Sequence, residues 1–151
     1  MPLAPPAVVE PPAGARRLPE RPWVVLLVDD EADVLTSIAE LIEHFFENVR
    51  VVRAGSGRAA LKALSSERVD VIISDFRMPG MDGIEFLYLA RKLYPTLPRV
   101  MLTAFADEDL ARRAVSEAFV DQFISKAVDP PQFLDRLGTL FEYRPGPMVS
   151  P

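Results

Sequence analysis

Five polar side chains each stand at the end of a short, largely apolar run. Asp29 and Asp30 follow WVVLLV, Asp75 follows VDVIIS, Thr103 follows RVML and Lys126 follows QFIS. Singly, each has an ordinary explanation: a carboxylate after a strand often caps the next helix, and a lysine is usually solvated. Jointly, three acids, a hydroxyl and an ammonium point to chemistry. Two carboxylates about 4 Å apart repel by ~4 kcal/mol at an effective dielectric of ~20. Such a cluster either raises a pKa or recruits a cation. Hard oxygen ligands suit Mg²⁺, which keeps several waters and readily shares phosphate oxygens. One carboxylate is then free to act as a nucleophile toward phosphorus. The metal, Lys126 and the Thr103 hydroxyl would stabilise the equatorial oxygens of the transition state.

The five groups must converge for this, and the surrounding elements bring them together. Trp23–Val28, Val49–Arg53, Val69–Ser74, Arg99–Leu102 and Gln122–Ser125 are short and rich in β-branched residues. The first and third read as strands buried on both faces. Between them, apolar residues recur at helical spacing: Val34, Leu35, Ile38, Leu41, Ile42 and Phe45; then Ala60, Leu61 and Leu64; then Ile84, Leu87 and Leu93. A fourth pattern holds Leu110, Ala111, Ala114 and Val115, and a fifth Phe133, Leu134, Leu137, Leu140 and Phe141. The fifth starts with Asp129 as N-cap, Pro130 at its first position and Gln132 three residues after the cap. Ser56 and Asp107 suit the N-caps of the second and fourth helices. Five successive strand–helix units with short connections predict an α/β fold, a doubly wound parallel sheet with helices on both faces. The common order for five strands is 2-1-3-4-5, with functional groups at the carboxyl ends near the switch between strands 1 and 3.

Composition bounds the rest. The 151 residues are 49% hydrophobic and 26% charged, with net charge −5 and no cysteine. Disulfides and thiolate metal sites are thereby excluded. An acidic domain lacks the basic face that phosphate neutralisation needs, so direct DNA binding is not expected. The longest Pro-free apolar run, Trp23–Val28, is far short of the ~20 residues of a membrane span. No cationic segment leads into an apolar one near the start, so a cytoplasmic location is expected. Seven of the 15 prolines fall in residues 1–22, predicting a disordered arm there. Its P-x-x-P spacings, Pro2 to Pro5 and Pro19 to Pro22, could serve recruitment, although such spacing is common by chance. The folded unit is expected over residues 23–142, with a disordered tail over 143–151.

VVLLVDDEADVL, DVIISDFRMPGMDGIEFL, MLTAFADE and FISKAVDP together resemble the receiver domain of two-component response regulators. The resemblance covers the whole expected folded unit. It implies a flavodoxin-like (receiver) three-layer sandwich. It also implies that Asp75 accepts a phosphoryl group from a sensor histidine kinase or a histidine phosphotransfer protein. Mg²⁺ would then be held by Asp30, Asp75 and the Arg77 backbone carbonyl, with Asp29 acting through water. Thr103, Lys126 and the Ala104 N–H would contact the phosphoryl oxygens. Thr103 would move on phosphorylation and Phe123 would turn inward, shifting the face made by the fourth helix, fifth strand and fifth helix.

Several positions depart from the family pattern or carry side chains of note. Phe123 offers no switch hydroxyl, unlike the Tyr also frequent there. Phe119 stands where Gly usually ends the fourth helix; it either reaches a partner surface or packs under the turn. Ala127 replaces the usual proline after the lysine. A cis bond there would cost about 2–3 kcal/mol more than with proline, so a trans Lys126–Ala127 peptide is expected, with Ala127 and Val128 rearranged. Arg77 and Phe105 occupy positions that modulate phosphoryl lifetime in the family. His44 is expected at the surface, and Trp23 as boundary packing.

The leading functional expectation is a phosphorylatable regulator that signals by binding a downstream protein. An aspartyl-phosphate phosphohydrolase also uses a strand-end Asp with Mg²⁺, but it needs a second acid two residues on, where this chain has Arg77. A phosphorylation-independent adaptor with the same fold is a third reading; such proteins usually lose one of the acids or the lysine, and none is lost here.

Overall fold

The computed structural model describes residues 21–104, 109, 112, 116, 120–126 and 128–143. Strands β1 (Trp23–Val28), β2 (Val49–Ala54), β3 (Val71–Asp75), β4 (Arg99–Thr103) and β5 (Gln122–Ser125) form one parallel sheet in the order β2-β1-β3-β4-β5. Side chains alternate across it with period two. Leu26, Val28, Ile72 and Met101 enter one core, while Val25, Leu27, Val71, Ile73, Val100 and Leu102 enter the other. Two cores explain why the β1 run is continuously apolar: both of its faces are covered.

Helices α2 (Gly57–Ser66) and α3 (Gly83–Leu93) cover the first core through Ala60, Leu64, Phe86, Leu87 and Ala90. Helix α1 (Ala32–Phe45) and the C-terminal helix (Pro130–Tyr143) cover the second through Ala39, Ile42, Phe133, Leu134 and Leu137. The result is the expected three-layer α/β sandwich. Ser56 caps α2, its Oγ accepting from the Ala59 N–H at 3.0 Å, and Asp129 accepts from the Gln132 N–H at 3.0 Å. The fourth helical pattern, with Asp107, Leu110, Ala111, Ala114, Val115 and Phe119, lies outside the described residues.

Some details differ from the sequence-based expectation: β3 starts at Val71, not Val69, and β2, β3 and β4 each run one residue further, to Ala54, Asp75 and Thr103. Phe45 and Leu93, assigned to apolar stripes, are 56% and 62% exposed. In α1 the buried aromatic is instead the capping residue Phe46, whose extended backbone folds its ring between Phe45 and Phe141. Periodicity stops being a guide where a helix ends. Tyr143 continues the last helix, and Arg21 is anchored. Its guanidinium lies 3.8 Å from the Asp70 carboxylate, and its carbonyl accepts from Asn48 at 3.4 Å. Trp23 does serve as boundary packing, with its ring 5.4 Å from that of Phe141.

The strand starts are fastened by carboxylates. Asp70 accepts from the Val24 N–H at 2.8 Å while its own N–H donates to the Val24 carbonyl at 2.8 Å. Asp121 repeats this with Arg99, at 2.8 and 2.9 Å. Each pins the register of two neighbouring strands and satisfies a backbone donor. At the opposite edge, α3 begins hard against β3. A Cβ on Gly83 would lie 2.2 Å from the Asp75 carbonyl oxygen and 2.9 Å from Phe76 Cα. Backbone cannot yield as a flexible side chain does, so Gly83→Ala is expected to destabilise the protein by about 3 kcal/mol. Gly55→Ala, with nothing within 4 Å of the new Cβ, should leave stability within about 1 kcal/mol of wild type. Urea unfolding monitored by circular dichroism measures both.

Candidate functional site

The register of the sheet sets where each candidate residue emerges. Val28 pairs with Ser74, so Asp29 and Asp75 end adjacent strands. Asp75 pairs with Leu102, and Thr103 with Ser125, which carries Lys126 just past the end of β5. The Lys126 N–H donates to the Thr103 carbonyl at 2.7 Å, extending the ladder one residue. The register thus brings the carboxyl ends of β1, β3, β4 and β5 to one edge of the sheet.

Carboxylate oxygens of Asp29, Asp30 and Asp75 lie within 4.8 Å of one another. Asp29 is 1% exposed and Asp75 7%, while Asp30 faces solvent. The Lys126 ammonium sits 2.9 Å from Asp75 Oδ1 and 3.4 Å from Asp29 Oδ2. Asp29 Oδ1 accepts from the Glu31 N–H at 2.9 Å, which fixes that carboxylate at the entrance to α1. Three carboxylates and one ammonium leave a formal charge of −2 (−3 + 1) in a partly desolvated pocket. The donors are hard oxygens with one open to water, a set that fits a divalent cation of the Mg²⁺ kind.

Electrostatics follow from burial. Burial pushes the Asp75 carboxyl above the ordinary Asp value, and the nearby Asp29 charge adds to this; the hydrogen bond and charge of Lys126 offset it only in part. For Lys126, burial alone would lower the pKa, but the hydrogen bond and charge of Asp75, then those of Asp29, raise it overall. Each partner thus favours the charged form of the other, while burial opposes both charges.

Thr103 is 0% exposed, and its Oγ1 has no hydrogen-bond partner among the described residues. A buried hydroxyl without a partner is uncommon and costly. Phe123 is half-buried on the same sheet face as Met101, packed against the core that α2 and α3 cover. Arg77 and Ala104 are exposed, each just beyond the carboxyl end of its strand, and the Arg77 guanidinium lies 5.5 Å from the Phe76 ring centroid. His44 is exposed at the end of α1, as expected. Phe105 and Ala127, with the Lys126–Ala127 peptide, lie outside the described residues.

The sequence reading passed over two features of the loop after Asp75. Asp82 and Glu85 form a reciprocal capping box at the start of α3, at 2.9 and 3.1 Å. Their D-x-x-E spacing was a readable signal. Gly80 takes φ +76°, which turns the chain back toward α3.

The sequence matches the response regulator receiver domain family over residues 25–138. The cyclic di-GMP phosphodiesterase response regulator RpfG of Xanthomonas campestris pv. campestris (strain 8004) is 33% identical over 122 residues, 80% of this chain and 32% of RpfG. The DNA-binding transcriptional regulator NtrC of Proteus hauseri is 35% identical over 105 residues, 70% of this chain and 22% of NtrC. The signal receiver domain of an HD domain-containing protein from Pseudomonas fluorescens Pf-5 is similar in structure, with TM-score 0.75 at 29% identity, covering 82% of this chain and 98% of that one. The chain spans 22% to 32% of the length of those two curated relatives. It belongs to the receiver domain family, the phosphoacceptors of two-component signalling.

A raised carboxyl pKa has a definite sign in stability. The folded state binds the Asp75 proton more tightly than the unfolded chain, so ionising Asp75 weakens folding as pH rises from the unfolded value of 3.8 through the folded one. Without divalent cations at pH 7.5, Asp75→Asn should therefore unfold at a higher urea concentration than wild type. The difference should shrink as pH falls through the raised folded value toward 3.8. A lower midpoint for the Asn variant at pH 7.5 would contradict this assignment.

Proposed function

We propose that Asp75 is the phosphoacceptor and that a phosphohistidine on a sensor histidine kinase or histidine phosphotransfer protein is the donor. The reading rests on one observation: the buried Asp75 carboxylate contacts Lys126 at 2.9 Å inside a triad of acids. In the transfer, an Asp75 oxygen attacks phosphorus as the phosphorus–nitrogen bond breaks. The electron pair leaves with the imidazole nitrogen, which takes a proton from solvent.

Asp30, Asp75 and the Arg77 carbonyl, with Asp29, would hold Mg²⁺, which neutralises charge on the transferring phosphoryl oxygens when bound. The chain's own groups do the rest. Asp75 is held by the Lys126 ammonium, which releases it when a phosphoryl oxygen becomes the better partner. Lys126 thus passes from Asp75 to the new acceptor without losing a charge partner. The Thr103 hydroxyl, which has no partner among the described residues, and the Ala104 N–H supply further donors. Thr103 moving toward the phosphoryl group would open space behind β4, into which the half-buried Phe123 ring turns. The altered face, around β5 and the helices flanking it, would engage a downstream protein target. The proposed setting of this signalling is the cytoplasm.

Incubation with a small acyl phosphate and Mg²⁺, followed by intact-mass measurement, tests this. Wild type should gain one phosphoryl group per chain, and Asp75→Asn none. Asp30→Ala should slow the Mg²⁺-dependent reaction by about 10²–10³, the usual effect of removing one electrostatic stabiliser. Equal modification of wild type and Asp75→Asn would mean that the nucleophile lies elsewhere.

A further inference from the structure

The loop that follows Asp75, residues 76–82, is fastened at its far end by Gly83 and the capping box. A second contact bears on its last turn. A Cβ on Gly57, the first residue of α2, would lie 2.7 Å from Met81 Sδ, 3.1 Å from its Cγ and 3.2 Å from its Cβ. Three successive atoms of the Met81 side chain thus lie against the one position of α2 that has no side chain. Met81 is half-buried and packs against the core made by Ala60, Leu64 and Phe86. The contact joins the acceptor loop to a helix that contributes no group to the site.

Gly57 is not required by its backbone. Its φ is not in the left-handed region, and it sits inside a helix whose cap, Ser56, is already satisfied. Alanine is the better helix former at such a position. What glycine provides here is the socket for Met81.

We propose that Met81 seated on Gly57 is a positioning contact that holds the acceptor loop, and with it the Arg77 carbonyl, in place for divalent cation binding. This rests on the reading of the acidic triad as a Mg²⁺ site. Supporting groups behind metal ligands typically change affinity by about 10–100-fold. The flexible Met81 side chain would be displaced by a Cβ at position 57, moving the loop and leaving the sheet intact.

Titration calorimetry with Mg²⁺ on the full chain, alongside urea midpoints, tests the proposal. Gly57→Ala and Met81→Ala should each weaken Mg²⁺ binding about tenfold. The double variant should also lose about tenfold, not a hundredfold, because both substitutions act on one contact. Met81→Leu, close in volume, should retain wild-type affinity and guards against a variant that fails to fold. Wild-type affinity in the folded Gly57→Ala and Met81→Ala proteins overturns the proposal, even if their urea midpoints fall. Independent, multiplicative losses overturn it equally. Absence of saturable Mg²⁺ binding by wild type overturns both this proposal and the metal reading beneath it.

Discussion

Three carboxylates held within 4.8 Å of one another, with the Lys126 ammonium among them, are the constraint on which this molecule turns. Water would let such groups drift apart; the sheet does not. Asp29 and Asp75 end adjacent parallel strands whose register is fixed residue by residue, and both are buried. Lys126 is tied to Thr103 through its backbone, so its side chain starts from the same edge of the sheet. The repulsion that remains favours a cation and an electrophile that can take up electron density. The same arrangement would account for both the proposed metal binding and the proposed reactivity of Asp75.

The rest of the structure resists that repulsion. Two apolar cores sandwich β1, β3 and β4, and each fully buried Val, Leu or Ile contributes roughly 1.5–3 kcal/mol. Asp70 and Asp121 lock the strand starts at the opposite edge of the sheet, so strain at the carboxyl ends cannot be relieved by a register slip. Gly83 lets the backbone of α3 approach that of Asp75 more closely than any side chain would allow. Charge is concentrated at one edge, and the hydrogen-bonded clamps lie at the other. A site that destabilises itself locally is a common feature of proteins built to bind or react.

Much of this was legible in the amino-acid order. Trp23–Val28 reads as a strand because both of its faces are buried, and the five polar groups stand at strand ends where a doubly wound sheet places its site. Asp129 and Ser56 cap helices by local rules that need no tertiary information. What stayed hidden depends on distance along the chain or on helix ends. The Asp70 clamp joins residues 46 apart and the Asp121 clamp residues 22 apart, so neither follows from a local pattern. Phe45 and Phe46 exchange burial because α1 stops between them, where helical periodicity no longer applies. Met81 and Gly57 meet only once α2 and the acceptor loop are packed side by side.

The central claim, that the under-neutralised triad is completed by a divalent cation in the folded state, is tested most directly by the urea midpoint across a Mg²⁺ series at constant ionic strength. A ligand that binds only the folded state stabilises it by about 2.7 kcal/mol at a hundred times its Kd. Wild type should show a midpoint that rises with the logarithm of Mg²⁺ concentration once the site begins to fill, and the rise should be lost in Asp30→Ala. A wild-type midpoint that does not respond to Mg²⁺, or an equal rise in Asp30→Ala, would contradict it.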